Sequence, residues 1–193
     1  MNVLIIPEDF RKDQYILRPI IKRMFAEIGK PNANVRVCLN PLLGGVSEAL
    51  KWERIAEIIH RYQNMIDLFL LLVDRDGVVG RRSSLNALEK KAAELLPAGR
   101  MFLGENAWQE IEVWAIAGQV LPKKWSWQDI RNEINPKEVY FVPLVRQRGL
   151  EREAGNGRRT LGKEAASNYG RVRARCKKDV EALEKRISRW LRG

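Results

Sequence analysis

Apolar positions along the chain alternate between the continuous runs of buried strands and the three- and four-residue spacing of helices. The runs predict strands at 3–6, 35–39, 68–73 and around 100–103. Helical spacing predicts amphipathic helices over 15–28, 49–62 and 85–96. Because strands and helices alternate, we expect an α/β fold: a mostly parallel sheet with helices on both faces and the strand at 68–73 in its centre.

The pattern changes in the last third of the chain. We expect an edge strand at 139–145, a Gly- and Arg-rich loop at 146–160 and helical structure over 161–191. A chain of 193 residues that is 45% hydrophobic fits one domain. We therefore divide it into an α/β body, 1–145, and a basic C-terminal helical extension, 146–193, packed on that body.

Charge is concentrated in that extension. The whole chain carries a formal net charge of +11, and residues 146–193 hold 15 Lys plus Arg against 6 Asp plus Glu. A polyanion is the first partner to consider, with nucleic acid ahead of an anionic membrane surface. The candidate nucleic-acid contacts are Arg158, Arg159, Lys163, Arg171, Arg173, Arg175, Lys177 and Lys178. The alternative is a solvated helix face whose basic residues pair with nearby acidic ones.

The sequence predicts a cytoplasmic protein. Its longest apolar run, 68–73, is far shorter than a membrane span, and its first residues lack the basic region of a secretory signal. Two distant cysteines, Cys38 and Cys176, form neither a disulfide framework nor a zinc motif. Because the sequence has neither a membrane-spanning run nor a secretory signal, we expect no membrane partner.

Acidic residues follow three of the predicted strands. Glu8 and Asp9 come after the first, Asp74 and Asp76 after the central one, and Glu105, Glu110 and Glu112 after the fourth. The carboxyl ends of parallel strands lie at one edge, where ligands bind. Like charges gathered there oppose ionisation unless a hard cation such as Mg²⁺ or Mn²⁺ compensates them. Each acid alone is more typical of a helix cap than of a metal ligand.

These segments carry a resemblance to a known family. The sequences at 5–9, 71–77 and 109–114 together resemble the Toprim fold. More narrowly, they are similar to small stand-alone Toprim-like proteins related to the nucleases of the overcoming-lysogenisation-defect group. Those proteins run from a strand-end Glu, through Asp-x-Asp, to a Glu-x-Glu-x-Trp segment. The similarity covers about residues 3–119.

The resemblance implies specific roles. Glu8 would be a metal ligand or general acid/base, and Asp74 and Asp76 the principal ligands, so that these three form the catalytic set. Glu110 and Glu112 would bind or orient a second ion, although positions two apart share a face only in an extended segment. Many Toprim sequences have Gly after the first glutamate, whereas Asp9 stands here, so either Glu8 or Asp9 could be the strand-one ligand.

The function expected from these features is Mg²⁺- or Mn²⁺-dependent cleavage of nucleic acid, with DNA ahead of RNA. Similar proteins are often encoded beside a separate ATPase and act in defence against phage, so the resemblance implies such a partner. The alternative is a non-catalytic Toprim-fold protein that binds nucleic acid or serves as an adaptor. The sequence leaves a homodimer open.

Overall fold

A four-stranded, all-parallel sheet forms the centre of the protein. The computed structural model describes all residues, 1–193. Its strands are β1 (Asn2–Pro7), β2 (Asn34–Val37), β3 (Leu68–Asp74) and β4 (Met101–Ala107), in the order β2-β1-β3-β4. The expected parallel α/β architecture is confirmed, and β1 and β3 are the two inner strands, consistent with a Rossmann-like fold.

Ten α-helices and one π-helical turn surround the sheet. The helices are α1 (Phe10–Glu27), α2 (Val46–Ala49), α3 (Trp52–Tyr62), α4 (Arg81–Leu95), α5 (Glu112–Ala117), α6 (Trp127–Asn132), α7 (Val142–Gln147), α8 (Arg158–Ser167), α9 (Tyr169–Arg175) and α10 (Val180–Trp190). The π-helical turn spans Lys137–Phe141. None of these helices combines the length and the apolar character that crossing a membrane requires.

The sheet is covered on both faces, as predicted. Side chains of β3 alternate between two cores: Leu68, Leu70 and Leu72 join a cluster of 33 buried residues with α1, α5 and α8 to α10. Phe69, Leu71 and Val73 join a cluster of 15 with α3 and α4. This explains why β3 has no polar alternation: a parallel strand buried on both faces is apolar at every position.

The edge strand expected at 139–145 is wrong. This segment lies in the π-helical turn and α7. Phe141, Leu144 and Val145 are buried at positions i, i+3 and i+4, which is helical spacing. The β-branched residues of the segment favour a strand, but burying these three side chains on one face stabilises the helix instead.

Strand β4 extends beyond the predicted 100–103 and includes Gly104. A Cβ at Gly104 would lie 2.9 Å from Leu85 Cδ2, so the glycine lets α4 approach the sheet closely. The glycine therefore marks a close helix–sheet contact within the strand rather than its end.

The C-terminal extension shares the core of the body. Its helical region consists of three helices, and α8 packs directly on α1. A Cβ at Gly162 would lie 2.2 Å from the carbonyl oxygen of Tyr15, so only glycine permits this approach. Leu161, Val172, Leu183 and Ile187 are fully buried in the larger core.

Substituting Gly162 tests this packing. We expect Gly162→Ala to lower the free energy of unfolding by about 1–3 kcal/mol, because backbone must shift to admit the methyl group. Gly170→Ala is the matched control: Gly170 lies in α9 with nothing within 4 Å of its Cβ position, and we expect about 0.5–1 kcal/mol of stabilisation from helix propensity. Urea denaturation measures both, and equal stability of the two variants would contradict the close packing.

Candidate metal centre

The carboxyl ends of the two inner strands meet at the point where strand order reverses. From β1 the chain passes to β2 on one side, whereas β3 lies on the other. In open parallel sheets ligands bind at such a switch point. Glu8 follows β1 and Asp74 ends β3, and Glu8 Oε2 accepts a hydrogen bond of 3.2 Å from Asp74 N. The structure therefore brings these two predicted residues together.

Asp74 also belongs to a group of three carboxylates that converge at this edge of the sheet. Asp74, Asp76 and Glu110 each offer one oxygen, and the three oxygens lie within 4.8 Å of one another. We call these residues the acidic triad. Because the donors are all carboxylate oxygens, the triad suits a hard cation such as Mg²⁺ or Mn²⁺ better than a thiophilic metal.

Gln109 fastens the two loops that carry the triad. Its backbone φ of 73° is left-handed, and its carbonyl oxygen accepts from Arg75 N at 2.8 Å and Asp76 N at 3.1 Å. Its side-chain Oε1 accepts from Gly77 N at 2.9 Å. Asp74 Oδ1 in turn accepts from Ile111 N at 2.8 Å. These bonds hold the loop after β3 against the loop after β4, although nothing in the sequence singled out Gln109 for this role.

Negative charge at the site is only partly compensated. Glu8, Asp13 and Asp74 have no cationic side chain within 4 Å, whereas Asp76 lies 3.7 Å from Arg81 Nη2. Burial raises the pKa of Asp74 well above its usual range, and the neighbouring carboxylates of Glu112 and Glu8 raise it further. Burial also raises the pKa of Glu8.

Glu110 is the triad member with the most direct contacts to a cationic residue. Its Oε2 accepts from Lys137 N at 2.7 Å, and its Oε1 lies 3.6 Å from Lys137 Nζ. Burial nevertheless raises the pKa of Glu110 to about 7. One carboxylate oxygen thus anchors the π-helical turn while the residue still contributes to the triad.

Asp13 is a buried site residue that the sequence analysis missed. Its Oδ2 accepts from Asp9 N at 3.0 Å, and burial, followed by the charge of Glu112, raises its pKa to about 7. A signal was available: Asp13 precedes Ile16 and Leu17 by three and four residues, so it lies on the apolar face of α1.

Glu112 does not join the acidic triad, contrary to the expectation that it binds metal. It is the first residue of α5, and Oε1 accepts from Arg158 Nε at 3.1 Å in a buried ion pair. Because the helix begins here, Glu110 and Glu112 diverge, the former to Lys137 and the latter to Arg158. Arg158 is therefore not a nucleic-acid contact: only 6% of it is exposed.

The two remaining acidic candidates have structural partners. Asp9 is the N-cap of α1, where its Oδ1 accepts from Arg11 N at 3.0 Å, so Glu8 is the strand-one acid that contacts the site. Glu105 lies within β4 and pairs with Arg82 and Arg186. Neither Asp9 nor Glu105 belongs to the acidic triad.

Half of the predicted basic contacts bind other groups of the protein. Besides Arg158, Arg171 donates to the carbonyl of Gly118, and Arg175 donates to the carbonyls of Ala117 and Gln119, which satisfies the C-terminal end of α5. Arg173 pairs with Glu181 and Glu184. Exposed and without an ion pair are Arg159, Lys163, Lys177 and Lys178.

The buried charge of Asp13 predicts a pH dependence of stability. Its pKa rises from 3.8 to about 7 on folding, so the native state holds the proton more tightly and loses stability as pH rises from about 4 to 7. Asp13→Asn keeps the acceptor for Asp9 N but carries no charge. We expect it to stabilise the metal-free protein by about 1–3 kcal/mol at pH 8 and to have little effect at pH 4.

Denaturation in EDTA at several pH values measures this difference. Asp129→Asn is the control, because Asp129 is exposed on α6, away from the triad. A stabilisation by Asp13→Asn that is the same at pH 4 and pH 8 would contradict a charge effect.

Comparison with known proteins gave no relative. No protein-family model, curated protein or solved structure matches this chain.

Proposed function

We propose that this protein is a divalent-metal-dependent phosphodiesterase that cleaves nucleic acid on a Toprim-like fold. The observation that carries the proposal is the convergence of Glu8 and the acidic triad at the switch point of the sheet. An uncompensated carboxylate such as Asp74 has a strong electrostatic reason to accept a cation. The order of the acids along the chain, from strand one through Asp-x-Asp to the loop after β4, supports the Toprim-like assignment.

Asp74, Asp76 and Glu110 would hold Mg²⁺ or Mn²⁺. When bound, such an ion supplies Lewis-acid stabilisation of charge on a phosphoryl group. Metal ions have this role because negative charge develops on phosphate oxygens during phosphodiester cleavage.

Glu8 is suited to proton transfer. Its Oε2 accepts from Asp74 N, which fixes the carboxylate, and its Oε1 makes no hydrogen bond. Burial raises the pKa of Glu8, and a carboxylate with a raised pKa is a stronger base. Glu8 would therefore accept a proton at Oε1.

The wider biological role rests on the resemblance. A separate partner ATPase and a function in defence against phage are the expectations for proteins of this type. The exposed cations Arg159, Lys163, Lys177 and Lys178 remain proposed contacts to nucleic acid, because none of them has an ion pair within the protein.

Metal binding can be tested without a substrate. We expect Mn²⁺ or Mg²⁺ to raise the unfolding temperature, because a ligand at 100 times its Kd stabilises the native state by about 2.7 kcal/mol. Asp76→Asn and Glu110→Gln should each lose most of this metal-induced shift, whereas Asp129→Asn should retain it. The comparison within each variant, with metal against EDTA, removes any effect of the substitution on stability alone. An unchanged shift in both triad variants would contradict a metal site here.

Hydrolysis is tested with supercoiled plasmid, single-stranded DNA and RNA in Mg²⁺ or Mn²⁺. We expect cleavage that falls roughly 100-fold or more in Asp74→Asn and in Glu8→Gln, by the magnitudes typical of lost electrostatic and acid–base groups. Asp129→Asn should cleave like the unmodified protein. Metal binding and salt-sensitive nucleic-acid binding without cleavage would favour the adaptor function instead, and cleavage unchanged by Asp74→Asn would overturn the proposal.

A further inference from the structure

A cleft lined by cationic side chains lies next to the acidic triad. Its volume is about 300 Å³, and its polar lining includes Arg75, Arg81, Arg82, Asn106, Trp108 and Lys178. We call it the cationic cleft. It shares the loop after β3 with the triad, since Arg75 stands between Asp74 and Asp76 in the sequence.

Two of these cations, Arg75 and Lys178, make cation–π contacts with Trp108. The Cζ of Arg75 lies 4.0 Å from the centroid of the Trp108 ring, and the Nζ of Lys178 lies 5.1 Å from it. A guanidinium held over an aromatic ring is stabilised by cation–π attraction while its in-plane N–H groups stay available. Neither Arg75 nor Lys178 has an ion pair or a side-chain hydrogen bond to the protein, so both charges are free for a ligand.

A buried carboxylate explains how Lys178 reaches this position. Asp179, the next residue, is 1% exposed, and its Oδ2 accepts from Trp108 N at 3.0 Å. Asp179 also pairs with Arg131 at 3.0 Å. The bond to Trp108 ties the start of α10 to the loop after β4. Lys178 is therefore the one predicted basic contact that this fold places in the cleft.

Arg81 supplies an unpartnered buried donor between the cleft and the triad. It is 8% exposed, and its Nε is buried with no hydrogen-bond partner. A buried unpaired donor is rare in native proteins and costs stability, so it points to a ligand that satisfies it. On the triad side, Arg81 Nη2 lies 3.7 Å from Asp76 Oδ2.

The first turn of α4 adds to the positive potential. The helix is 15 residues long, has no side-chain cap and has no acidic residue in its first turn. The backbone N–H groups of Arg82 and Ser83 have no acceptor within the protein. Uncapped N–H groups and the helix dipole favour an anion at this end.

The only carboxylate in the lining is already neutralised. Glu105 pairs with Arg82 and, at 3.6 Å, with Arg186. The cleft therefore keeps the charges of Arg75 and Lys178, which have no acidic partner, beside Arg81, whose only acidic neighbour within 4 Å is Asp76.

We propose that the cationic cleft binds a phosphate group of a nucleic-acid strand whose neighbouring linkage lies at the acidic triad. Phosphate suits Arg75 and Arg81, because guanidinium N–H groups match its oxygens in pairs. Its volume, at the small end for ligand pockets, suits a single nucleotide unit rather than a duplex groove. The position of the cleaved linkage at the triad rests on the proposed function. The binding of phosphate in the cleft does not depend on that function.

The test uses equilibrium binding of labelled single-stranded oligonucleotides in EDTA, followed by fluorescence anisotropy at several salt concentrations. The double variant Arg75→Gln/Lys178→Gln should bind about tenfold more weakly or worse. The slope of log K against log salt should shrink by about 1–1.5, as expected for two lost phosphate contacts on a single strand. Arg18→Gln/Lys22→Gln is the matched control, because both residues are exposed on α1 and the net charge falls equally.

Arg81 is tested separately because it is buried. Arg81→Lys keeps the positive charge but removes the Nε donor, and we expect it to weaken binding several-fold while the circular dichroism spectrum stays native. Oligonucleotides with a 5′-phosphate and with a 5′-hydroxyl separate two sources of the phosphate. An effect of the double variant only on the phosphorylated strand indicates a terminal phosphate, and an equal effect on both indicates an internal phosphodiester.

Affinity and salt slope of the Arg75→Gln/Lys178→Gln variant equal to those of the Arg18→Gln/Lys22→Gln control would overturn the cleft proposal. Because EDTA prevents metal-dependent hydrolysis, that result is independent of whether the protein cleaves nucleic acid. Conversely, the double variant could bind more weakly than the control while the unmodified protein cleaves no nucleic acid. That result would support phosphate binding in the cleft and contradict only the hydrolytic function.

Discussion

Repulsion between closely spaced carboxylates, most of them at least partly buried, is the constraint on which much of this structure depends. Six acidic side chains gather at the carboxyl end of the sheet: Glu8, Asp13, Asp74, Asp76, Glu110 and Glu112. Three have cationic partners from three different segments, namely Arg81, Lys137 and Arg158. Since a buried, unpaired charge is costly, the fold must either bring such cations to the site or leave a place for an ion. It does both.

The C-terminal extension is therefore part of the site's electrostatics and not a separate basic arm. Arg158 begins α8 and neutralises Glu112, while Arg171 and Arg175 of α9 satisfy the carbonyl end of α5. The short helix α5 is thus held at both ends by the extension. Removing the extension would leave Glu112 uncompensated next to Asp74, whose pKa it already raises.

Much of the fold could be predicted from the sequence because its strands are buried on both faces. The runs at Val3–Ile6 and Leu68–Val73 read directly as inner strands, and strand order then places Glu8 beside Asp74. Local sequence patterns did not predict the contacts between side chains that are far apart in the chain. The pairing of Glu112 with Arg158 spans 46 residues, and no local spacing rule selects it. Asp13 could have been found, since it interrupts the apolar face of α1.

The positive and negative parts of the site depend on each other. Arg81 contacts Asp76 on one side and lines the cationic cleft on the other, so the charge state of the triad affects the potential in the cleft. Without a cation, the triad repels a polyanion at short range and offsets the attraction of Arg75 and Lys178. A divalent ion on the triad would cancel that repulsion. Metal and strand would then favour each other's binding, because each stabilises the charge arrangement that the other requires.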